Sequence, residues 1–543
     1  MAALAAYGCV FCGTLLPKLL PGRPGRFLSN SPADGAIFLW SLGWWPHAIA
    51  HGAVLPYTHD VFAPAGTNLV WTTSIPVPSL VLAPVTRTFG IFAAFNVLSL
   101  LAPITAGWAT YLLVHRVTRR WWAALAAGLL FALSPLETTE VAMGHLNLSL
   151  TALIPLAAYL VVRHLEGSMP GRVLVPLLGI VLAAELGVST EVFATTTLFG
   201  LIALLLLYAW DEGRRPALRR CAMLIGLSYA VVAVLASPML YTAIAMPHPP
   251  GLASASQSPT PMSGVRTLVP DAGALRAGLL HPSRRDSLGS ALLLALPLVG
   301  ILLHLAWRRR REPVLRALAA TAALALVCSF GVIVVGSTSL PTPWALAMRV
   351  PLLRLVRPQR LTMFFWLIAS VGVGVWLAER RRSWRRWGVA ALALAAAAPA
   401  LWQGSWTSVI VTPPFLAAAN PYLAPGENVV IVTGPGPGSR QFDDLAFPTV
   451  WQVESGFSFR LANAYVGSFP PPLPAPVRRL VSHDPIPPDQ TARLYAWFRQ
   501  AGVGAVLVMR PTPEVVDPIQ RLLGAEPLIL DGVALFPVTS RSA

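Results

Sequence analysis

Asp34 is the acidic residue best placed for chemistry in this sequence, because it follows a first apolar segment and lies just outside it. A carboxylate at a membrane edge can take a proton from an attacking hydroxyl and so act as a general base. An acid near the start of a helix also interacts favourably with the helix dipole, without any catalytic role. Residue type leaves both interpretations open, so the surrounding elements must decide between them.

Four arginines close to one another form the second group that could do chemistry. They lie in Met348-Arg-Val-Pro-Leu-Leu-Arg-Leu-Val-Arg-Pro-Gln-Arg360, immediately before an apolar segment. The planar guanidinium group makes bidentate contacts to phosphate, which the ammonium group of lysine cannot make. We therefore predict that Arg349, Arg357 and Arg360 bind the phosphate of a lipid at the membrane surface. Contact with ordinary anionic headgroups is the alternative.

Further polar residues lie where apolar segments end. Glu137, Glu140, His145 and Asn147 fall in one such stretch, and Glu191 falls in another. Residues of this kind are expected in solvated loops at the mouth of a helix bundle. Alternatively, they hydrogen-bond the hydroxyl groups of a substrate, and for this role we select His145, Asn147 and Glu191.

Three histidines and a second aspartate follow Asp34. His47 and His51 are one helical turn apart, and His59 and Asp60 come next. A metal site needs ligands that converge on one face, so histidines facing the membrane interface are the stronger interpretation. Asp60 is selected as a substrate-binding residue. No Asp-x-Asp pair lies beside Asp34, so a divalent metal is not favoured and no cofactor is predicted.

Hydrophobic helices must position these residues. Of the 543 residues, 55% are hydrophobic, and the mean hydropathy is +0.63. A soluble domain cannot bury that much apolar surface, whereas a bilayer can. Glu185, inside one apolar run, is costly in lipid and should face a cavity or a partner. The runs predict about 11 transmembrane helices, near residues 2–20, 93–115, 121–135, 147–162, 173–190, 192–210, 221–240, 289–307, 314–336, 361–378 and 387–403.

The distribution of charge predicts the orientation of these helices. The chain has 40 Lys and Arg against 23 Asp and Glu, and the arginines form short runs between apolar segments. This is the positive-inside pattern of a membrane protein, and it excludes nucleic acid as a partner because no basic patch on a soluble fold is formed. It puts residues 21–92, 136–146, 241–288, 337–360 and everything after 404 on the outer face.

Two stretches of the predicted outer loop 21–92 are apolar but are not predicted to span. Residues 35–51 are rich in tryptophan, which prefers the headgroup level, so we predict a helix lying in the interface. Residues 69–92 contain Pro76, Pro78 and Pro84. Prolines this dense favour an interfacial or re-entrant stretch over a spanning helix.

The sequence changes character after the last apolar run. Residues 428–432 and 505–509 have the composition of short strands. Residues 490–501 have that of a helix, with Asp489 as the predicted N-cap. Asp531-Gly532, between two short apolar runs, is a hairpin turn signal.

The chain is therefore predicted to be a polytopic α-helical membrane protein of two domains. A transmembrane domain covers residues 1–403, with a long first outer loop, and a small α/β domain covers residues 404–543. The predicted location is the plasma membrane, with the C-terminal domain outside the cytoplasm.

The layout and several short motifs resemble those of the GT-C superfamily of polytopic glycosyltransferases, in particular the large actinobacterial-type members with a C-terminal extracytoplasmic domain. The matching features are Asp34 in the first outer loop, the Trp-rich helix, the loop Val61-Phe-Ala-Pro-Ala-Gly-Thr-Asn-Leu69, Gly144-His-Leu-Asn147, and the Arg-Val-Pro run that starts at Arg349. Many members carry two neighbouring acids in the first loop, whereas here Asp34 has no acidic neighbour.

The resemblance implies a sugar donor carried on polyprenyl phosphate and used at the outer membrane face with inversion at the anomeric carbon. The implied acceptor is a glycan, lipid or protein of the cell envelope, and membrane lipids surround the enzyme. Asp34 would be the general base, and the outer arginines would bind the lipid phosphate.

Two other classes of protein fit a polytopic chain with this charge pattern. A flippase or transporter of lipid-linked sugars should have ionisable residues near mid-membrane and a two-fold repeat. Glu185 is the one such residue in the apolar runs, and no repeat is visible. A non-catalytic scaffold of a cell-envelope assembly would use its outer domain to recruit partners, and Asp34 would not matter to it.

Overall fold

The computed structural model of the chain falls into two compact units. The helical unit comprises Met1–Leu20, Asn96–Ala236 and Pro259–Trp406, and the mixed unit comprises Pro21–Phe95, Ser237–Ser258 and Thr407–Ala543. The predicted first outer loop thus falls in the same unit as the C-terminal residues, and the division near residue 403 stays a prediction. The structure describes residues 1–20, 22–53, 55–247, 287–335, 338–350, 353, 356–379, 384, 387–388, 390–391, 394, 406–416, 421–434, 444–467 and 473–538.

Helices dominate the described part of the chain, and short strands are concentrated near its C-terminal end. The helices are α1 (Ala2–Leu19), α2 (Pro32–Ala50), α3 (Pro76–Val81), α4 (Ala83–Thr118), α5 (Trp121–Ala132), α6 (Pro135–Met143), α7 (Leu146–Ser149), α8 (Leu153–Leu165), α9 (Gly171–Val188), α10 (Thr190–Trp210), α11 (Arg215–Leu235), α12 (Ser237–Ala245), α13 (Ser287–Arg308), α14 (Pro313–Ser329), α15 (Trp344–Ala347), α16 (Thr362–Ala378), α17 (Phe447–Glu454), α18 (Ala475–Val481), α19 (Pro488–Ala501) and α20 (Pro513–Leu523). The strands are β1 (Arg26–Phe27), β2 (Tyr57–Thr58), β3 (Thr67–Asn68), β4 (Val332–Val335), β5 (Thr338–Pro341), β6 (Ser408–Val409), β7 (Glu427–Thr433), β8 (Phe459–Leu461), β9 (Val503–Met509), β10 (Leu528–Leu530) and β11 (Val533–Pro537).

Many of the helices are long and apolar enough to cross a membrane. Among the described residues seven segments meet this requirement, and α5 with α6, bent by 47° at their junction, makes an eighth if the pair is one broken span. The seven are α1, α4, Leu146–Leu165, α9, α10, Glu212–Leu235 and Pro358–Ala378. The chain is therefore a multi-pass membrane protein.

The predicted fold class is confirmed, although within the described ranges fewer helices than the predicted 11 reach spanning length. Each predicted span from 2–20 to 361–378 contains a helix, and the last one, 387–403, lies largely outside the described residues. Several apolar runs are interrupted, which shortens their helices. The run that begins at Trp121 bends after Ala132, and the run at 314–336 leaves the helix after Ser329 and continues as β4.

The proline-rich stretch 69–92 is divided into short pieces. It forms a 3-10 turn at Leu69–Trp71, then α3, and then the start of α4, which breaks at Gly90. The backbone at Gly90 has φ 84° and ψ 170°, a conformation that residues with a Cβ rarely adopt. This stretch is therefore not one continuous helix.

Small residues let the helices of the helical unit approach closely. A Cβ added at Gly128 of α5 would collide with the Gly107 carbonyl oxygen of α4 and with the Tyr7 hydroxyl of α1. Tyr7 Oη donates a hydrogen bond to the Leu125 carbonyl at 3.1 Å, so the three helices meet at one point. Packing through small residues is typical of helix contacts in membranes.

A five-stranded sheet forms the centre of the mixed unit. Its order is β10-β11-β9-β7-β8, with β7 parallel to both β8 and β9, while the β9–β11 and β11–β10 pairs are antiparallel. The predicted strands at 428–432 and 505–509 are β7 and β9. The predicted hairpin is also present, because Asp531 and Gly532 have φ values of 48° and 79°, as a two-residue hairpin turn requires.

The Trp-rich helix α2 is part of the core of the mixed unit. Trp40, Trp44 and Trp45 are 1%, 2% and 7% exposed, and they belong to the same buried hydrophobic cluster as residues of β7 and β9. The prediction that these rings lie at the headgroup level is therefore wrong. Trp40 Nε1 donates to Gln452 Oε1 at 3.0 Å, so the indole N–H finds a partner inside the protein.

Candidate functional site

Asp34 lies in the first turn of α2, three residues after the N-cap Ser31. Pro32 occupies the first helical position, where its missing N–H costs no hydrogen bond. Ser31 Oγ donates to Asp34 Oδ2 at 2.6 Å. Ser29 fixes Ser31, since Ser29 Oγ accepts from Ser31 N at 3.0 Å and donates to the Ser31 carbonyl at 2.8 Å. The Asp34 carboxylate is thus oriented by the start of α2 and is partly exposed.

Asp60 is held by the mixed unit itself. Its Oδ2 accepts hydrogen bonds from Trp44 Nε1 and from Thr58 Oγ1, both at 2.8 Å. Its backbone carbonyl accepts from Gln452 Nε2 at 2.7 Å and from Leu461 N at 2.8 Å. These contacts tie the loop between α2 and α3 to the helix and the sheet. They are the contacts of a residue that maintains the fold, and a substrate-binding role for Asp60 stays a prediction.

The histidines near Asp60 contact protein rings and carbonyls. The His47 ring stacks on Phe457 with centroids 4.3 Å apart, and on His51 at 4.2 Å. His59 Nδ1 lies 2.9 Å from the Pro64 carbonyl oxygen. Burial lowers the pKa of His47, the neighbouring His51 lowers it further, and Asp60 opposes both effects. The His47 ring is therefore half-buried against protein rings, and the interpretation that the histidines face the membrane interface stays a prediction.

The stretch predicted to be the second outer loop is largely helix. α6 begins after Ser134, whose Oγ accepts from Glu137 N at 3.4 Å, and it ends at Gly144, which has φ 76°. Glu137 and Glu140 on this helix are 1% and 8% exposed. The expectation that they belong to a solvated loop is therefore wrong, because α6 turns both side chains into the protein.

His145 follows Gly144 and is the N-cap of α7. Its Nδ1 lies 2.5 Å from Glu140 Oε2, and the two side chains are 15% and 10% exposed. A carboxylate on Nδ1 fixes the orientation of an imidazole ring. Asn147 lies in α7 and is partly exposed. Two of the selected substrate-binding residues thus lie together at the start of one short helix.

Glu191 and Arg360 form an ion pair. Glu191 lies in the first turn of α10, whose N-cap Ser189 accepts from Val192 N at 3.3 Å. Arg360 lies in the 3-10 turn Pro358–Leu361 that precedes α16, and its Nη1 donates to Glu191 Oε2. Both side chains are 17% exposed. The sequence selected both residues but did not predict that they bind each other.

The other arginines of the predicted phosphate site are more exposed than Arg360. Arg349 and Arg357 are exposed, and Arg354 lies outside the described residues. Arg357 acts electrostatically, with Arg360, on the carboxylates of Glu140 and Glu191. The cluster Glu140–His145–Glu191–Arg357–Arg360 therefore brings residues from three separate parts of the sequence together at helix ends.

Two further glutamates have hydroxyl partners. Glu137 Oε2 accepts from Thr151 Oγ1 at 2.9 Å, and Glu185 Oε1 accepts from Thr196 Oγ1 at 2.9 Å. The prediction that Glu185 has a partner is confirmed. Glu137 and Glu140 were noted in the sequence among the polar residues at the ends of apolar segments but were not selected as site residues. The stronger signal was their spacing of three, which places both on one face of a helix.

The side chains that could bind a metal ion are not grouped in the described part of the chain. No three side chains of His, Cys, Asp or Glu are grouped there so that they could hold one. In the cluster, Arg357 and Arg360 provide the positive charge beside Glu140 and Glu191.

No family model and no curated protein matches this chain. Its fold is similar to that of the oligosaccharyltransferase of Archaeoglobus fulgidus, with a TM-score of 0.56 and 12% identity over 93% of this chain and 69% of that one. The same archaeal protein, AglB, solved with an inhibitory peptide and a dolichol-phosphate, gives a TM-score of 0.55 and 11% identity over 96% of this chain and 70% of that one.

The fold is also similar to that of the arabinofuranosyltransferase AftD from mycobacteria. The TM-score is 0.60 and the identity 15% over 99% of this chain, which spans 40% of that much longer protein. Both similar proteins are GT-C glycosyltransferases. The likeness establishes that this chain has a GT-C fold, as the sequence motifs predicted.

Proposed function

We propose that this protein is a glycosyltransferase that moves a sugar from a polyprenyl-phosphate donor to an acceptor of the cell envelope. The observation that carries the proposal is the GT-C fold, which extends over 93% or more of the chain in the likeness to two different glycosyltransferases. The cluster at the helix ends supports it, because ionisable residues in or beside membrane helices are costly and mark functional sites.

The choice of donor is supported from two directions. The archaeal oligosaccharyltransferase has been solved with a dolichol-phosphate, which is a polyprenyl-type lipid phosphate. In this chain, Arg349 and Arg357 are exposed just before the apolar helix α16, and guanidinium groups suit phosphate at a membrane surface. We assign to Arg349, Arg357 and Arg360 the binding of the lipid phosphate.

The proposed acceptor is a broader class of molecule than the proposed donor. One similar structure is the archaeal enzyme tethered to an acceptor peptide, and the other similar protein is an arabinofuranosyltransferase. We therefore propose a glycan, lipid or protein of the cell envelope as the acceptor. We assign His145, Asn147 and Glu191 to hydrogen bonds with sugar hydroxyls.

The proposed reaction is a displacement with inversion. An acceptor hydroxyl oxygen attacks the anomeric carbon and forms the new glycosidic bond. The bond from that carbon to the phosphate oxygen breaks, and its electron pair leaves with polyprenyl phosphate, whose charge the arginines stabilise. The acceptor proton goes to the Asp34 carboxylate as general base. The hydrogen bond from Ser31 keeps that carboxylate in one orientation.

We propose that the reaction takes place at the outer membrane face, because of the distribution of basic residues at the helix ends. Arg163 lies at the C-terminal end of α8, and Arg308 lies at that of α13. Basic helix ends of this kind face the cytoplasm under the positive-inside rule. Glu191 and Arg360 lie at the opposite, N-terminal ends of α10 and α16.

The proposal is tested by transfer of labelled sugar from polyprenyl-phosphate donors to cell-envelope acceptors. Membranes with the wild type, Asp34→Asn and Arg357→Ala are compared at matched expression. We expect transfer with the wild type, loss of it with Asp34→Asn, and a raised donor KM with Arg357→Ala. Asp489→Asn, in the exposed first turn of α19, is the matched control.

Other outcomes would favour the other classes of protein. Movement of lipid-linked sugar across vesicle membranes without transfer would indicate a flippase. A phenotype in cells that Asp34→Asn leaves unchanged, with neither transfer nor movement, would indicate a scaffold.

A further inference from the structure

The arginines assigned to the donor phosphate already have carboxylate neighbours. Arg360 is paired with Glu191, and Arg357 and Arg360 both act on Glu140 and Glu191. Two glutamates beside two arginines leave little net positive charge in the cluster. An incoming lipid phosphate must therefore compete with a carboxylate for these cations.

Glu191 is the carboxylate best suited to give up its partner. Its Oε2 accepts from Arg360, but its Oε1 is buried and has no hydrogen-bond partner among the described residues. A buried ion pair is a good permanent contact only when its remaining lone pairs are also satisfied. Glu191 does not meet this condition, because the lone pairs of its Oε1 are not satisfied.

Arg360 is placed where a second anion can reach it. Its side chain is 17% exposed, and it lies not within a long helix but in a short 3-10 turn whose N-cap is the exposed Arg357. A phosphate offers the guanidinium the same bidentate geometry as a carboxylate, and it carries an equal or greater charge. Exchange would therefore leave Arg360 paired throughout.

We propose that Glu191 competes with the lipid phosphate for Arg360, so that carboxylate and phosphate exchange on one guanidinium group. This inference rests on the proposed function, since it takes the donor phosphate as the incoming anion. It makes Glu191 a residue that weakens the binding of bare phosphate. Selectivity for a complete donor follows if the displaced carboxylate accepts a hydroxyl of the sugar that the phosphate carries.

The test measures binding of the lipid phosphate rather than transfer. The full chain is reconstituted in lipid nanodiscs and titrated with a long-chain polyprenyl phosphate, and Kd is measured for the wild type, Glu191→Gln and Arg360→Ala. The neutral polyprenol of the same length, phosphatidylglycerol and inorganic phosphate are titrated separately. These probes distinguish a polyprenyl-phosphate site from general affinity for anionic headgroups or free phosphate.

Glu166→Gln is the matched control, because Glu166 also pairs with an arginine, Arg116, at 2.6 Å. We expect Glu191→Gln to lower Kd for polyprenyl phosphate by about fivefold, the size of a partly exposed ion pair. Arg360→Ala should raise Kd, and Glu166→Gln should leave it unchanged. Glu191→Asp, which withdraws the carboxylate by one carbon, should shift Kd in the same direction as Glu191→Gln and serves if the latter folds poorly.

Two results would overturn the inference. If Kd rises or stays constant in both Glu191 variants while Arg360→Ala raises it, Glu191 is a fixed structural partner of Arg360. If phosphatidylglycerol binds as tightly as polyprenyl phosphate in every variant, the arginines contact ordinary headgroups. A wild type that transfers sugar but shows either result would refute the exchange alone, whereas a wild type that neither binds nor transfers would refute the proposed function as well.

Discussion

Asp60 in the mixed unit and Glu191 in the helical unit are acidic side chains that were both predicted from the sequence to bind substrate. Both are partly exposed. Asp60 Oδ2 accepts from two neutral donors of its own unit, Trp44 and Thr58. Glu191 has a cation on one oxygen, and its other oxygen is buried and has no hydrogen-bond partner among the residues the structure describes.

The difference shows how a carboxylate that maintains a fold can be told from one that is available to a ligand. The neutral donors of Asp60 come from residues close in sequence, and its backbone carbonyl is also engaged. Glu191 has a guanidinium group as its partner, from a segment 169 residues away. We therefore expect substitutions around Asp60 to change stability, and substitutions around Glu191 to change ligand binding.

The largest effect on stability is expected from Gln452→Leu. Gln452 is fully buried, accepts from Trp40 Nε1, and donates to the Asp60 and Phe459 carbonyls at 2.7 and 2.9 Å. Leucine leaves these groups without their partner and should lower the free energy of unfolding by about 3 kcal/mol. Thermal unfolding followed by tryptophan fluorescence measures this loss. The control Gln500→Leu, on the exposed face of α19, should be neutral; equal curves for both would show that the network around Asp60 does not hold the fold.

A smaller effect is expected from Asp60→Asn. The amide keeps one acceptor oxygen but loses the charge that strengthens the bonds from Trp44 and Thr58. We expect a loss of about 1 to 2 kcal/mol in the free energy of unfolding, with sugar transfer per folded molecule unchanged. If Asp60→Asn abolished transfer and left stability unchanged, Asp60 would be a substrate-binding residue rather than one that maintains the fold.

The pH dependence of stability should depend partly on His47. Burial and His51 lower its pKa in the folded protein, so the unfolded chain binds the proton more readily. Stability is therefore complete above the ordinary histidine pKa of about 6.5 and falls as the pH drops through it. Melting temperatures between pH 7.5 and 5.5 should fall less steeply in His47→Gln than in the wild type. An unchanged slope would show that His47 does not contribute.

The smallest effect is expected from Asp489→Ala in α19. The sequence predicted Asp489 as the N-cap, but the helix begins at Pro488 with Pro487 as N-cap, and Asp489 lies in the first turn. An acid there interacts only with the helix dipole, so we expect a loss of about 0.5 kcal/mol, below the roughly 1 kcal/mol of a true N-cap. If thermal unfolding showed a loss of about 1 kcal/mol or more, Asp489 would act as the N-cap after all.

The elements that could be predicted from the sequence are those governed by local chemistry. The apolar runs and the arginines between them predicted the membrane helices, and Asp531-Gly532 predicted the hairpin turn, because length, charge and turn geometry act within a few residues. Pro488 explains the error at α19, since proline is well suited to the first helical position, and the helix starts there, two residues before the predicted start at 490.

The contacts of the candidate site could not be predicted, because they join distant segments. The spacing of Glu137 and Glu140 fitted a helix, but their burial depends on packing against other helices. The Trp residues of α2 fitted a membrane interface equally well, since an indole with a buried acceptor and one at the headgroups have the same sequence pattern. Gln452, the acceptor for Trp40, lies 412 residues away.

The most direct test of the central claim compares Asp34→Asn with Asp60→Asn in a single-turnover transfer assay. Purified variants are corrected for folded fraction and given a labelled polyprenyl-phosphate sugar and a cell-envelope acceptor. We predict that Asp34→Asn lowers the rate by about 100-fold or more, as loss of a general base does, while Asp60→Asn transfers at the wild-type rate. A wild-type rate in Asp34→Asn would contradict the account, because the acceptor proton would then go to another group.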